Sequence, residues 1–158
     1  MTEAPYFHVG ILVPDLDEAI ARFHDVLGLD FAEPSRSTIP QLDENGISHE
    51  WEVHVTYSIQ TPHLELIEAA GDGVYGAQNG FGVHHIGGWI ADAPAFIAHL
   101  AGPGVGTEAV MRNGDTNLGA YFDPDALYGV RFEAVPTLIR PGWESWVTGS
   151  GDFDPIAA

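Results

Sequence analysis

The chain has 158 residues, 45% of them hydrophobic and 11% aromatic, which is enough for one packed core and argues against disorder. It has no cysteine, so disulfides, thiolate metal sites and cysteine nucleophiles are excluded, and any metal must be held by imidazole and oxygen. The formal net charge is −18 with no lysine, which repels nucleic acid and anionic lipid and rules out Schiff-base chemistry. The basic residues are Arg22, Arg36, Arg112, Arg131 and Arg140. No apolar run reaches the roughly 20 residues of a membrane helix. The opening MTEAPYFHVG lacks the basic-then-apolar order of a secretory signal, so a cytoplasmic location is expected.

YFHVGILV (6–13) is a short, β-branched apolar run and reads as a strand ended by Pro14. Asp15, with Glu18 three residues on, starts a helix in capping-box fashion. Leu16, Ala19, Ile20, Phe23, Val26 and Leu27 recur at helical spacing, and Gly28 is the stop. LDFAEP (29–34) reads as a second strand, and the polar stretch from Ser35 to Gly46 as a loop. WEVHVTYSIQ (51–60) and HLELIEAA (63–70) read as two strands turned at Thr61–Pro62, completing a βαβββ module over 1–70. The glycine-rich stretch 71–82 has no phosphate-loop signature and reads as a linker. VHHIGGWIAD (83–92) is a strand and APAFIAHLAG (93–102) a helix. A weaker strand lies near GTEAVMR (106–112), followed by strands in NLGAYFD (117–123) and YGVRFEAVP (128–136). This makes a second βαβββ module over 83–136. Residues 137–158 form a tail whose Trp143, Trp146 and Phe153 suit wrapping of the body or support of a homodimer interface.

The two modules are an internal repeat. HVGILVPD (8–15) aligns with HIGGWIAD (85–92), placing His8 on His85, Gly10 on Gly87 and Asp15 on Asp92. LELIE (64–68) aligns with FEAVP (132–136), placing Glu65 on Glu133. Side chains alternate across a strand, so in all four strands the apolar majority can face helices while His or Glu projects the other way. Two curved sheets meeting in a cleft bring His8, Glu65, His85 and Glu133 together. Buried carboxylates without compensation are costly, and one divalent cation satisfies both of them and both imidazoles. Gly10 and Gly87 are expected to keep space beside that cation open for substrate.

These residues resemble the vicinal oxygen chelate superfamily of glyoxalase I, methylmalonyl-CoA epimerase, the extradiol dioxygenases and fosfomycin-resistance proteins. GVHHIG (82–87) and LELIE (64–68) look closest to the epimerase and glyoxalase branch, and DLDEAIARFHDVLGL (15–29) is similar to the superfamily's first helix. The resemblance implies an α+β fold of paired βαβββ modules, a curved mixed sheet with a metal-binding cleft. It implies one metal ion (Zn, Ni, Co, Mn, Mg or Fe) on His8, Glu65, His85 and Glu133. It implies a lyase or isomerase acting on an α-oxygenated carbonyl compound through a metal-stabilised enediolate, with Glu133 or Glu65 as base. Few cations are present to hold an anionic CoA or glutathione substrate, which favours a small neutral or apolar one.

Further candidates to touch substrate are His54, Trp89, Tyr121 and Arg131. His54 either lines the cleft or faces solvent, Trp89 is a cleft wall or ordinary packing, and Arg131 meets a substrate carboxylate or balances charge near Glu133. His84 reads as structural or as a partner of a metal ligand, pointing to the helix side. Glu44 lies in the region from which epimerases supply an extra carboxylate. Two other functions stay open: a non-haem Fe(II) dioxygenase using His8, His85 and Glu133, which Glu65 argues against, and a ligand-binding resistance protein without turnover.

Overall fold

The computed structural model describes residues 6–151, so Phe153 lies outside the described residues. The elements are β1 (Tyr6–Val13), α1 (Leu16–Leu27), β2 (Ser35–Glu44), β3 (Ile47–Tyr57), β4 (His63–Glu68), β5 (Gly82–Ile90), α2 (Ala93–Ala101), β6 (Thr107–Asn113), β7 (Thr116–Phe122), β8 (Arg131–Pro136) and α3 (Arg140–Val147). The strands close into a barrel in the order β1-β4-β3-β2-β6-β7-β8-β5. Within each repeat the first and last strands pair in parallel, β1 with β4 and β5 with β8. The repeats join at two antiparallel seams, β1 with β5 and β2 with β6. The α+β architecture of paired βαβββ units is therefore as the sequence implies, with the two curved sheets continuous.

Helix starts repeat as the sequence does. Asp15 accepts from Glu18 N at 2.8 Å, and Asp92 accepts from Ala95 N at 2.9 Å. Gly28 closes α1 in the left-handed region at φ 67°. α1 and α2 cover the outside of the barrel. Leu16 and Ala19 of α1 pack on Val13 and Leu66. On the second half Phe96, Ile97 and Leu100 of α2 pack on Ile90, Val110, Phe122 and Phe132. The largest core fills the barrel interior, and it includes Leu12, Ile39, Val55, Tyr57, Tyr121 and Val135.

One expectation about elements is corrected. The second strand is Ser35–Glu44, which the sequence reading assigns to a loop, whereas 29–34 contributes only an isolated bridge from Phe31 to Ser58. Pro40 has no N–H to give the ladder, and the pairing with β3 shifts register between Ile39 and Leu42. The turn that follows is Asn45–Gly46, with φ of 53° and 74°, the left-handed pair that a tight hairpin needs. The tail packs on the body, one of the two roles expected of it. After β8 the chain forms α3, and Ile139, Trp143, Trp146 and Val147 recur at helical spacing and insert into the barrel's interior core.

Candidate metal centre

β1 and β5 lie side by side with Gly10 opposite His85 and His8 opposite Gly87. A Cβ on Gly10 would stand 1.9 Å from His85 Cε1, and one on Gly87 would stand 1.8 Å from His8 Cε1. The space each glycine leaves is thus taken by the facing imidazole, which corrects the expectation that it serves substrate. The parallel neighbours bring in the carboxylates, since Gly10 pairs with Glu65 and Gly87 with Glu133. Four residues from four strands meet at the seam between the repeats.

The ligand atoms of His8, Glu65, His85 and Glu133 all lie within 4.8 Å of one another, and all four residues are buried. His8 Nε2 is 2.7 Å from His85 Nε2. Glu65 Oε2 lies 3.4 Å and 3.0 Å from the two imidazole nitrogens, and Glu133 Oε2 lies 3.1 Å and 3.2 Å from them. Ligands bonded at about 2.1 Å to a common ion are separated by roughly 3 Å, so this spacing is that of a coordination shell. Both Oε2 atoms are buried without a hydrogen-bond partner among the described residues. Orphaned buried carboxylate oxygens are costly, and a cation resolves both at once. The residues fit a divalent metal.

The surrounding groups orient the ligands. Tyr57 Oη donates to Glu65 Oε1 at 2.5 Å. His84 occupies a bulge: Gly10 pairs with His85 and Ile11 with Val83, leaving His84 unpaired in between. Its ring therefore turns inward beside Tyr75 and Tyr121, and not to the helix side as the alternation suggests. His84 Nε2 is 2.8 Å from Val74 O, and its Nδ1 is 2.9 Å from His85 Nδ1. Burial first, and then the neighbouring His85, push the His84 pKa down to about 4, so it is neutral. The network assigns its proton to Nε2, leaving Nδ1 to accept from His85 Nδ1–H. His85 thereby presents Nε2 to the centre.

Burial alone would depress the His85 pKa, but Glu133 and Glu65 outweigh it and raise it to about 9. The His8 pKa is raised above 6.5 against the same burial cost by the same carboxylates. Burial favours the neutral acids of Glu65 and Glu133, yet the imidazoles hold both below the ordinary 4.5. Metal uptake at this cluster near pH 7 would therefore expel the His85 imidazole proton. Calorimetric titration with zinc in buffers of different ionisation enthalpy is expected to give at least one proton released per ion at pH 7, declining above pH 9. Heats independent of the buffer would contradict this. The linkage has a second sign to check. A raised imidazole pKa stabilises the metal-free fold below about pH 6.5, and that contribution fades as pH climbs through 9.

The other candidates divide. Tyr121 lines the cavity next to the centre, its ring 5.1 Å from that of His85. His54 does not line it. Val53, Val55 and Tyr57 form the inward face of β3, and His54 turns outward to Arg36 at 3.1 Å and Glu68 at 3.5 Å. Trp89 stands one layer back, stacked on Phe7 at 4.0 Å between ring centres. Arg131 is held away from the cavity by Glu108, with Nη2 to Oε1 at 2.8 Å, and donates to His84 O. Its charge is met by Glu108, and no contact joins it to Glu133 among the described residues. Glu44 is also elsewhere, accepting from His49 Nε2 at 3.0 Å and Val74 N at 2.7 Å. Sequence reasoning missed Tyr57, Phe7, Trp143 and Trp146 as cavity walls. A signal for Tyr57 was present, because Tyr57 faces Glu65 across β3 and β4 in the register in which Tyr121 faces Glu133 across β7 and β8.

With fold and site in place, comparison with known proteins supplies the class. Residues 7–122 match the model of the Glyoxalase/Bleomycin resistance protein/Dioxygenase superfamily, and the chain belongs to that superfamily. Its fold is shared by methylmalonyl-CoA epimerase from Mycobacterium tuberculosis, at 23% identity and TM-score 0.59, over 83% of this chain and 86% of that one. A variant of Streptomyces coelicolor methylmalonyl-CoA epimerase in complex with 2-nitronate-propionyl-CoA matches at 23% identity and TM-score 0.60, over 85% and 95%. A hypothetical protein from Bacillus halodurans C-125 matches at 17% identity and TM-score 0.60, also over 85% and 95%. No curated protein matches the chain. Among the described residues no helix is long and apolar enough to cross a membrane.

Proposed function

We propose that this chain is a metal-dependent isomerase or lyase acting on an α-oxygenated carbonyl compound, with His8, Glu65, His85 and Glu133 as the metal ligands. The observation that carries the reading is the meeting of two imidazoles and two carboxylates, each carboxylate with an orphaned oxygen, at the wall of a buried cavity. A divalent cation there supplies Lewis acidity toward a carbonyl oxygen and so acidifies the neighbouring C–H.

The chain's own groups divide the remaining work. Glu65 is tethered by the Tyr57 phenol, which burial and the nearby carboxylates keep protonated by raising its pKa well above 10. Glu133 receives no such phenol hydrogen bond among the described residues; Tyr121, its cross-strand neighbour, accepts from Tyr75 at 3.2 Å. Glu133 is accordingly the base that removes the α-proton and returns it to another carbon or face, and Glu65 is the fixed ligand. The apolar walls exclude water while the proton is held. A dioxygenase triad uses only one carboxylate, and the second one here occupies a position that oxygen and substrate need.

Protein loaded in turn with zinc, nickel, cobalt, manganese or magnesium, and incubated with hydroxyacetone in D2O, tests the proposal by NMR. Metal-dependent deuterium incorporation at the α-carbon, abolished by a chelator, is the expected result. Failure to retain any of these metals, or exchange indifferent to the chelator, would count against it.

A further inference from the structure

Resting on that reading of the centre, we infer that the substrate is a small uncharged molecule of only a few non-hydrogen atoms with two neighbouring oxygens, and that Trp143 and Trp146 of α3 set the size limit. The cavity beside the centre is about 90 Å³. A cavity of about 150 Å³ holds benzene, and sites for drug-sized ligands run to roughly 300 Å³ or more. A whole CoA or glutathione conjugate exceeds this volume.

The walls also choose the charge. Apart from Glu65 and Glu133, the ionisable residues lining the cavity are Tyr57, Tyr75 and Tyr121. All three are phenols, which carry no charge near neutral pH. No arginine lines it. Arg36, Arg112, Arg131 and Arg140 are paired with Glu52, Asp43, Glu108 and Glu144, and Arg22 is exposed on α1. An anionic substrate tail would be desolvated beside two carboxylates with no side-chain cation to meet it.

The remaining wall comes from the segment after β8, through Ile139, Trp143 and Trp146. Trp146 Nε1 donates to Glu33 O at 2.8 Å, which pins α3 across to the connection before β2. Trp143 Nε1 is buried with no hydrogen-bond partner among the described residues, an unspent donor in the cavity wall. Both indoles lie beyond residue 122, where the superfamily match ends.

The test uses cobalt-loaded full-length protein and two chelating probes, the two-carbon acetohydroxamic acid and the eight-carbon octanohydroxamic acid, read by the visible cobalt band and by tryptophan fluorescence. The wild type is expected to bind the short probe at least tenfold more tightly than the long one. W146L should erase or reverse that preference, with W143L as the second variant should W146L fail to fold. Equal binding of both probes by the wild type, tight binding of methylmalonyl-CoA, or an unchanged preference in both variants would overturn the size limit and leave the metal centre standing. A protein that takes up no cobalt, or whose cobalt band responds to neither probe, would remove the centre and this inference together.

Discussion

Glu133→Gln is expected to slow proton exchange at the substrate α-carbon about a thousandfold while the metal remains bound, the scale of a lost general base. Glutamine keeps a ligand oxygen but cannot accept the proton. Glu65→Gln should behave differently. Its amide oxygen still accepts from Tyr57, so the loss should fall mainly on metal affinity, with turnover at saturating metal much closer to wild type. The distinction rests on the broken symmetry between the repeats, since Tyr57 reaches Glu65 whereas Tyr121 bonds to Tyr75. Metal titration and exchange kinetics on both variants separate the roles. A larger loss of turnover at saturating metal in Glu65→Gln would reverse the assignment.

Gly10→Ala and Gly87→Ala are each expected to damage both fold and centre. The new methyl group would stand within 2 Å of the facing imidazole. That ring is flanked by strands and cannot yield without leaving the ligand cluster. Overpacking of this kind costs on the order of 3 kcal/mol, or roughly 10 °C in melting temperature for a chain of this size. Metal affinity should fall at least a hundredfold, because His85 is displaced in one variant and His8 in the other. Gly106→Ala is the control, since an added Cβ there meets nothing within 4 Å. Calorimetric melting with and without metal checks all three. Stable, metal-binding Gly10→Ala and Gly87→Ala proteins would show that the imidazoles are not confined as described.

The centre was legible because it is written twice. His8 over His85 and Glu65 over Glu133 survive alignment of the repeats, and strand alternation puts each on the face away from the helices. Alternation fails where a strand departs from regular pairing, and the errors follow from that. His84 sits in a bulge, so its ring turns inward. β2 was hidden by polar residues and by Pro40, although Asn45–Gly46 between two runs is a hairpin signal that a search for loops passes over. Alternation along β3 puts Trp51, Val53, Val55 and Tyr57 on one face, but which side holds the cavity depends on barrel closure. The tail's Ile139, Trp143, Trp146 and Val147 carry helical spacing. Nothing local said that they fold back into this chain's own barrel, because that contact joins distant positions such as Trp146 and Glu33.

Because the ligands straddle the seam between β1 and β5, each repeat on its own contributes a single imidazole and a single carboxylate. A solitary repeat is therefore half a coordination shell with an uncovered sheet edge. On the proposed reading, a complete ion site would form only when two such halves embrace.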